Sequence, residues 1–323
     1  MTILITGAQG CIGSWVVKNL VERGARPVVY DLTREPRRMR LIMSPEQIAQ
    51  VTFLEDDVRD LEGLCRAIEE HDITHILHLA ALQVPACREN PVRGALINVI
   101  GTLNVFEAAK RTGCIQRIVY ASSCAVYGRP EEYPSPAPHE ALLTPHTHYG
   151  VFKVCNEGNA RVYWEEDGLS SIGLRPWTVY GPGRDQGLTS APTKAVKAAV
   201  VGREYRIPYG GYNDLQFVDD VAKSFLRCLE VPFEGAAVYN LRGQVVSMAE
   251  VIATIEEVVP EAKGLLSHGQ GQIPMAYDLD DTPLQREVGD LPRTPLREGI
   301  RQTVEVFRRL QAEGRLETTE LEA

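Results

Sequence analysis

Tyr149 and Lys153 are the two residues whose types and spacing most directly suggest chemistry. They lie four positions apart in HTHYGVFKVCNE, in a segment whose pattern predicts a helix over residues 147–167, so both side chains can reach one ligand. A phenol with a pKa of about 10 is a poor base, but a neighbouring ammonium stabilises the phenolate and lowers that pKa. The pair therefore predicts a site that removes a proton from an alcohol. The alternative is an ordinary helix surface, which carries the same spacing by chance.

A serine hydroxyl precedes this helix in the chain. The stretch YASSCAVYG continues a segment predicted as a strand over residues 116–122, and it presents Ser122 and Ser123 at the carboxyl end of that strand. Ligands of open α/β sheets bind at this edge. A hydroxyl donor beside the substrate oxygen completes an acid/base site for oxidation of a carbinol, with hydride passing to a nicotinamide.

The stretch ILITGAQGCIG predicts a phosphate-binding loop between a strand (residues 3–6) and a helix (residues 12–23). Glycine at such a position permits a tight turn, close approach of a pyrophosphate and close packing of helix on strand. The free N–H groups of the helix point at the anion. The spacing is GxxGxxG rather than GxGxxG, so a glycine-rich turn without a ligand is the alternative for this motif alone. The residues expected to border the cofactor here are Gly7, Gly10, Cys11, Ile12 and Gly13.

Asp31, at the end of VVYD in the next predicted strand, favours NAD as the cofactor. A carboxylate there accepts hydrogen bonds from the adenosine ribose and repels a 2′-phosphate. Arg34, Arg37 and Arg38 follow closely and are the basis of the alternative, NADP, although a solvated run of charges explains them as well.

The elements that must position these residues alternate between strands and helices. Continuous apolar strands between amphipathic helices predict an α/β fold with a doubly wound parallel sheet of the Rossmann type. We expect an NAD-binding domain over residues 1–176, with a strand near 237–241 returning to its sheet, and a smaller α/β substrate domain over most of residues 177–323. The tail after Arg315 is expected to fray. The other predicted strands cover residues 27–30, 51–54, 75–80 and 171–174, and the other helices cover 61–70, 92–111, 192–201, 219–230, 248–259 and 296–311.

Composition excludes several classes of function. The 323 residues carry a net charge of -9, with no basic excess for nucleic acid. No apolar run approaches the roughly 18 residues that a membrane span needs, and we expect a cytoplasmic protein. The seven cysteines include no CxxC pair, so neither disulfides nor a zinc site is predicted. His146 and His148 form an HxH pair without further ligands nearby, and no metal is expected.

Taken together, the motifs resemble the extended short-chain dehydrogenase/reductase family, in particular its NAD-dependent epimerase/dehydratase branch, over nearly the whole chain. The resemblance implies that Tyr149 is the general base, that Lys153 lowers its pKa and holds the nicotinamide ribose, and that Ser123 is the catalytic hydroxyl. It also implies further cofactor residues. These are Asp57 and Val58 at the adenine, Leu79, Ala80 and Ala81 along the cofactor, and Asn98 in the supporting polar network. The motifs are TGAQGCIG, DDVRD, HLAA, NVIGTLNVFEAA, SSCAVYG, YGVFK, LRPWTVYGPGR and FVDDVA.

The chain departs from this family at the substrate side. Nucleotide-sugar epimerases of the family carry an arginine that grips the diphosphate, where this sequence has Asn213, and an amide cannot replace a bidentate contact to phosphate. The family normally has a second basic residue before the C-terminal strand, and only His268 lies near that position here. Thr178 stands where several epimerases have an asparagine that faces the substrate. Arg184 is an alternative anion contact. The substrate is therefore a free sugar, a sugar acid or a differently held nucleotide sugar, and the expected substrate residues are Gln83, Ser123, Thr178, Arg184 and Asn213.

Three functions remain open from the sequence. The first is an NAD-dependent epimerase of a sugar or nucleotide sugar, and the second is a net NAD-dependent dehydrogenase of a free sugar or sugar acid. The third is a cofactor-bound sensor, against which the intact Tyr149 and Lys153 count. The resemblance also implies a homodimer through helices after Pro91 and around Tyr149. Apolar residues available for that contact are Val99, Leu103, Val105 and Phe106.

Overall fold

A computed structural model describes residues 1–321 of the chain. Its strands are β1 (Ile3–Thr6), β2 (Val28–Asp31), β3 (Thr52–Glu55), β4 (His75–His78), β5 (Arg117–Ala121), β6 (Ser171–Arg175), β7 (Thr178–Tyr180), β8 (Tyr205–Ile207), β9 (Tyr212–Phe217), β10 (Ala236–Asn240), β11 (Gln244–Ser247) and β12 (Leu266–His268). Its α-helices are α1 (Cys11–Glu22), α2 (Pro45–Ile48), α3 (Leu61–Glu70), α4 (Val84–Glu89), α5 (Pro91–Ala95), α6 (Gly101–Thr112), α7 (His148–Asp167), α8 (Ala191–Val200), α9 (Val218–Glu230), α10 (Met248–Val258), α11 (Thr282–Val288) and α12 (Leu296–Ala312).

The central sheet has seven strands in the order β3-β2-β1-β4-β5-β6-β10, and each strand runs parallel to its neighbours. The predicted doubly wound parallel sheet is confirmed, including the returning strand, since β10 pairs with β6. The order reverses between β1 and β4, and such a switch point opens a crevice at the carboxyl ends of the strands.

The apolar runs of the strands are buried on both faces of this sheet. Ile3 and Ile5 of β1 belong to one hydrophobic core, whereas Leu4 belongs to the other, because successive side chains of a strand point to opposite faces. Helices α1 and α9 pack together on the first face, and α3, α6 and α7 cover the second.

The helix predicted over residues 92–111 is interrupted. α5 and α6 are separated by a π-helical turn, Leu96–Ile100. Asn98 lies in this turn and holds the backbone of Leu82, donating to its carbonyl at 2.9 Å and accepting from its N–H at 2.7 Å. Single π-helical turns within α-helices are frequent at functional sites.

The second half of the chain adds two small sheets, one with the order β11-β9-β7 and one pairing β12 with β8. The sequence analysis missed these short strands, because glycine and proline between them break the periodic pattern. It did predict α8, α9, α10 and α12 to within one residue at each end. No helix in residues 1–321 is long and apolar enough to cross a membrane.

The prediction of a frayed tail is wrong for residues 316–321. Leu316 and Leu321 pack against the main core. Lys197 donates to the carbonyl of Glu317 and pairs with the carboxylate of Glu320. The last two residues of the predicted tail, 322 and 323, lie outside the described part of the chain.

Candidate active site

The predicted cofactor and catalytic residues meet in one cleft of about 1330 Å³. The cleft follows the carboxyl edge of the central sheet, where the loops after β1, β2, β4, β5 and β6 converge. The opposite wall of the cleft is formed by residues that follow position 176 in the chain, among them Trp177, Arg184 and Met275.

The glycine loop has the geometry that a pyrophosphate needs. Gly7 has a φ of +69° and donates its N–H to the Tyr30 carbonyl. A Cβ on Gly7 would lie 2.5 Å from the Ala80 nitrogen, and one on Gly13 would lie 2.5 Å from the Ala8 Cα. Helix α1 begins directly after this loop with no side-chain cap and no acidic residue in its first turn, so its free N–H groups are available to an anion. The loop therefore fits the diphosphate of a dinucleotide.

Asp31 borders the same cleft at the end of β2. Its carboxylate accepts hydrogen bonds from the backbone N–H groups of Gln9 and Leu32, each at 2.8 Å. Burial raises the pKa of this carboxyl, although these hydrogen bonds act in the opposite direction. Each oxygen of a carboxylate can accept more than one hydrogen bond, so a ribose hydroxyl in the cleft would have an acceptor at Asp31.

The basic residues after Asp31 are already paired. Arg38 binds Asp185 at 2.6 Å and also donates to the carbonyls of Gln9 and Gly183. Arg37 pairs with the same carboxylate, and Arg34 lies 3.9 Å from Glu55. Each of the three arginines therefore has a carboxylate partner within the protein, which agrees with NAD as the cofactor.

The other expected cofactor residues fall into two groups. Asp57, Val58 and the segment Leu79, Ala80 and Ala81 line the cleft. Hydrogen bonds from Arg59 hold the pKa of Asp57 below its usual range. Asn98 does not line the cleft and acts through the backbone of Leu82, which does.

The predicted catalytic residues are brought together at the start of α7. Thr147 caps this helix, accepting from the N–H of Gly150 at 3.0 Å. A Cβ on Gly150 would lie 2.1 Å from the Ala125 carbonyl oxygen, so only glycine lets the helix press on the turn that carries Ser123. The Ser123 hydroxyl consequently lies close enough to the Tyr149 phenol to stabilise its ionised form.

The electrostatics of the pair differ from the expectation. Burial of the phenol raises the pKa of Tyr149 to about 12, and the Ser123 hydroxyl and the Arg184 charge oppose this rise. Burial lowers the pKa of Lys153 to about 8. The Lys153 ammonium donates to the Ala121 carbonyl at 2.6 Å and lies 5.5 Å from the centroid of the Tyr149 ring. The prediction of a Tyr149 pKa below its ordinary value is therefore wrong for the chain alone.

A buried polar network beneath the catalytic residues was missed by the sequence analysis. Glu157 accepts hydrogen bonds from the Ser122 hydroxyl and from two nitrogens of Arg175, at 2.9 and 2.7 Å. Arg175 also donates to the Tyr127 hydroxyl at 2.9 Å. The available signal was the spacing of Glu157, which stands four residues after Lys153 and thus on the same helix face.

Two of the expected substrate residues do not reach the cleft. Thr178 and Asn213 are completely buried in the β11-β9-β7 sheet, and neither atom of the Asn213 amide has a hydrogen-bond partner. Their assignment to the substrate is corrected for this reason. Gln83, Ser123 and Arg184 do line the cleft.

The HxH pair is not assembled as a metal site. His146 contacts Glu132 at 3.1 Å, whereas His148 stacks on Phe152. Within residues 1–321 no three His, Cys, Asp or Glu side chains are grouped to hold a metal ion.

The chain is similar to proteins of one family over most of its length. The profile of the NAD dependent epimerase/dehydratase family matches residues 3–241. Over 320 residues the chain is 31% identical to UDP-glucose 4-epimerase of Mycolicibacterium smegmatis, covering 95% of this chain and 99% of that protein.

Solved structures give the same result. UDP-glucose 4-epimerase of Thermotoga maritima with UDP-glucose aligns with a TM-score of 0.84 and 26% identity, over 96% of this chain and 100% of that chain. UDP-glucose 4-epimerase of Thermus thermophilus in complex with NAD aligns with a TM-score of 0.81 and 28% identity, over 95% and 99%. The chain therefore belongs to the NAD-dependent epimerase/dehydratase family and is an NAD-dependent short-chain enzyme of the extended type.

Proposed function

We propose that the protein oxidises a carbinol of a sugar-type substrate, with Tyr149 as the general base and Ser123 as the hydrogen-bond donor to the reacting oxygen. The observation that carries this proposal is the convergence of Ser123, Tyr149 and Lys153 at one end of the cofactor cleft. Bound NAD supplies the hydride acceptor. In its ionised form the Tyr149 oxygen would take the hydroxyl proton of the carbinol. NAD held by the glycine loop and Asp31 would accept the C–H hydrogen as hydride, which would leave a ketone.

Lys153 has two tasks in this proposal. Its ammonium is buried and fixed by the Ala121 carbonyl, which leaves further N–H bonds to hold the nicotinamide ribose. Because its charge lies beside the Tyr149 ring, it also stabilises negative charge on the phenolate as the proton is transferred.

Epimerisation is the first candidate for the net reaction. The ketone would reorient in the cleft and take the hydride back on its opposite face. The similarity to UDP-glucose 4-epimerases, one with UDP-glucose and one with NAD bound, supports this candidate. A nucleotide sugar is accordingly one of the substrates to be tested.

A net dehydrogenase that releases NADH is the second candidate. It is favoured by Asn213, which replaces the diphosphate-binding arginine that the family resemblance implies and is buried away from the cleft. Without that anchor, a substrate smaller than a nucleotide sugar fits the departures from the family pattern better.

One assay separates the two reactions. Purified protein is incubated with excess NAD and a panel of sugars, sugar acids and UDP-sugars, while NADH absorbance and product stereochemistry are followed together. Accumulation of NADH in proportion to product rules out epimerisation as the net reaction. Appearance of isomers alone, with the cofactor retained, rules out the dehydrogenase. Failure of every carbinol to react with an NAD-loaded protein would contradict the proposal itself.

We also propose that two copies of the chain pair through α5, the π-helical turn Leu96–Ile100 and α7. Val92, Leu96 and Ile100 follow each other at four-residue intervals and are 72%, 43% and 43% exposed. Val151 and Val162 on the adjacent α7 are 49% and 38% exposed. Of the residues first considered for this contact, Val105 and Phe106 are excluded because they are completely buried in the monomer core.

A further inference from the structure

We propose that residues 181–189, the latch segment, close over the cofactor cleft, and that the ion pairs of Asp185 with the loop after β2 limit the release of NAD. That loop, residues 32–42, is called the arginine loop below. The proposal concerns the cofactor and not the substrate, so it stands apart from the proposed function. The course of the latch segment and the contacts at its two ends carry it.

The latch segment spans the crevice between β1 and β4. Pro182 contacts Trp15 in α1, which follows β1, and Gly187 contacts Gln83, which follows β4. The strand order reverses between these two strands. A dinucleotide that reaches from the end of β2 to the end of β5 has to cross this crevice, so the segment stands where it can cover the middle of the cofactor. Its residues that line the cleft are Arg184, Gln186, Gly187, Leu188 and Thr189.

Arg38 ties the first end of the latch segment to the glycine loop. Its guanidinium donates to the Gly183 carbonyl at 3.1 Å and to the Gln9 carbonyl at 2.9 Å. It also contacts the Asp185 carboxylate at 2.6 Å, and the two side chains are only 17% and 16% exposed. Water screens such a pair only partly. One arginine therefore joins the segment to the loop that fits the pyrophosphate.

Two further bonds hold the same end. The Trp15 indole donates to the Pro182 carbonyl at 2.9 Å. Arg37 pairs with the second oxygen of the Asp185 carboxylate, while Arg38 uses the first. Asp185 is thus shared between two arginines of the arginine loop, and this shared carboxylate is the charged bond that has to break before the segment can lift.

The arginine loop is itself held from behind by the C-terminal part of the chain. Arg309 of α12 donates to the Leu41 carbonyl at 2.6 Å, and Arg315 donates to the Arg40 carbonyl at 2.7 Å. These bonds fix the loop against the body of the protein. We therefore expect opening to separate the latch segment from the arginine loop, and not to move the loop together with the segment.

The far end of the latch segment rests on the opposite side of the cleft. Gly187 has a φ of +82°, and a Cβ on it would lie 2.2 Å from the Gln83 Oε1. Gln83 is the residue at which α4 begins. The segment consequently reaches from α1 to α4, and the charged bonds stand at its first end. Asp185 is for this reason the residue to change.

Slow release suits a reaction that uses its cofactor again. An epimerase gives the hydride back to the ketone in the same site, so NAD is regenerated without leaving. A net dehydrogenase has to exchange NADH after every turnover. A latch that limits release therefore favours epimerisation, the first candidate for the net reaction.

The test measures the release of NADH by the whole protein. Wild type, Asp185→Asn, Trp15→Phe and Glu35→Gln are loaded with NADH and mixed rapidly with a large excess of NAD, and the loss of bound NADH fluorescence gives koff. We expect Asp185→Asn to raise koff by about tenfold or more, because it breaks a partly buried charge pair. Trp15→Phe, which removes one hydrogen bond, should raise koff by about threefold.

Glu35→Gln is the matched control. It removes one negative charge, as Asp185→Asn does, but from the arginine loop and from an exposed pair with Arg40. Exposed pairs contribute little, so koff of this variant should stay within about twofold of wild type. Urea denaturation of the four proteins shows whether each variant is folded.

Two results would overturn the latch. One is a koff of folded Asp185→Asn equal to that of wild type. The other is an equal rise of koff in Glu35→Gln, which would trace the effect to net charge. If Asp185→Asn does not fold, Trp15→Phe decides, and an unchanged koff in that variant contradicts the proposal. None of these measurements uses a sugar, so they stand even if every carbinol fails to react.

Discussion

At the scale of single residues, the cleft contains a phenol that is hard to ionise and an ammonium that loses its proton easily. Both shifts come from burial, which penalises the charged form of each group. For the pKa of Tyr149 the Ser123 hydroxyl and the Arg184 charge partly oppose the effect of burial. For the pKa of Lys153 the charges of Cys87 and Glu157 do so.

Replacement of Tyr149 by phenylalanine should abolish turnover while leaving the cofactor bound. General acid–base catalysis contributes about 10²- to 10⁴-fold, so we expect kcat to fall by about 1000-fold or more. NAD affinity, measured by fluorescence titration, should change by less than about threefold, because the loop and Asp31 are untouched. Turnover at the wild-type rate would remove Tyr149 from the mechanism.

His78 makes the folded protein sensitive to acid. Its ring is buried between the hydroxyls of Thr6 and Thr102, at 2.7 and 3.0 Å, and burial lowers its pKa from 6.5 to about 3. The unfolded chain therefore binds a proton between these pH values that the folded chain does not, so stability is complete above pH 6.5 and falls as the pH falls toward 3.

The expected loss is on the order of 3 kcal/mol of unfolding free energy by pH 4. Urea denaturation across this range should show a shallower pH dependence in His78→Gln than in wild type. His71→Gln, at the C-terminal end of α3, serves as the control. Parallel pH profiles for wild type and His78→Gln would show that His78 is not the group responsible.

At the scale of elements, close packing of helix on loop decides where the ligands can lie. Helix α1 approaches the loop after β1 so closely that Gly13 has no room for a side chain, and α7 approaches the turn after β5 as closely at Gly150. Glycine is needed at both places because the two segments are in direct contact. The candidate cofactor site and the candidate catalytic site each lie at one of these contacts.

Gly13→Ala and Gly158→Ala form a matched pair on helices α1 and α7. The first places a Cβ 2.5 Å from the Ala8 Cα, whereas the second meets nothing within 4 Å. Overpacking of this kind costs about 1–3 kcal/mol, and if this cost falls on the cofactor-binding loop, the NAD affinity of Gly13→Ala should drop by about 5- to 150-fold. Gly158→Ala should stabilise the protein by about 0.5–1 kcal/mol. A Gly13→Ala variant with unchanged Kd for NAD would contradict the assigned role of this contact.

Glu157 ties α7 to the ends of β5 and β6. Its ion pair with Arg175 is buried, with side chains 8% and 7% exposed. Removing one partner of a buried pair leaves an uncompensated charge and costs about 3–5 kcal/mol. Glu157→Gln should therefore lower the free energy of unfolding in urea by about 3 kcal/mol.

The control lies on the same helix. The pair of Arg161 and Glu165 is 64% and 53% exposed, and exposed pairs contribute at most about 1 kcal/mol. Glu165→Gln should accordingly change stability little. Equal effects of the two substitutions would show that the buried network does not hold the elements together.

At the scale of the whole molecule, the exposed apolar residues of α5, the π-helical turn and α7 predict a dimer in solution. Light scattering after size exclusion should give twice the chain mass for wild type. The double variant Leu96→Glu and Ile100→Glu should give a monomer, because it places charges in the contact. Leu142→Glu alters a more exposed leucine, at 77%, outside these helices and should leave the mass unchanged. A wild-type monomer at micromolar concentration would contradict the proposal.

The larger organisation was only partly predictable. The division into a cofactor domain over residues 1–176 and a substrate domain beyond it stays a prediction, as does a cytoplasmic location. What the sheet does establish is that the chain crosses this boundary, since β10 from beyond residue 176 completes the seven-stranded sheet beside β6.

The sequence by itself determined the central sheet and the NAD cofactor. It also identified Tyr149, Lys153 and Ser123 as candidate catalytic residues. These rest on local signals: periodic apolar runs, a glycine loop between strand and helix, and a Tyr–Lys spacing that any helix places on one face. Local backbone geometry is encoded by neighbouring residues, so such signals can be read along the chain.

Only the tertiary structure decided which long-range partners surround those residues. It placed Thr178 and Asn213 in the core, buried the Tyr149 phenol enough to raise its pKa, and left the Arg184 Nε without a partner at the cleft wall. Burial and pairing depend on segments that are far apart in the chain, such as Asp185 with Arg38 or Met275 with Cys124. No local pattern carries that information, because it arises when the elements pack.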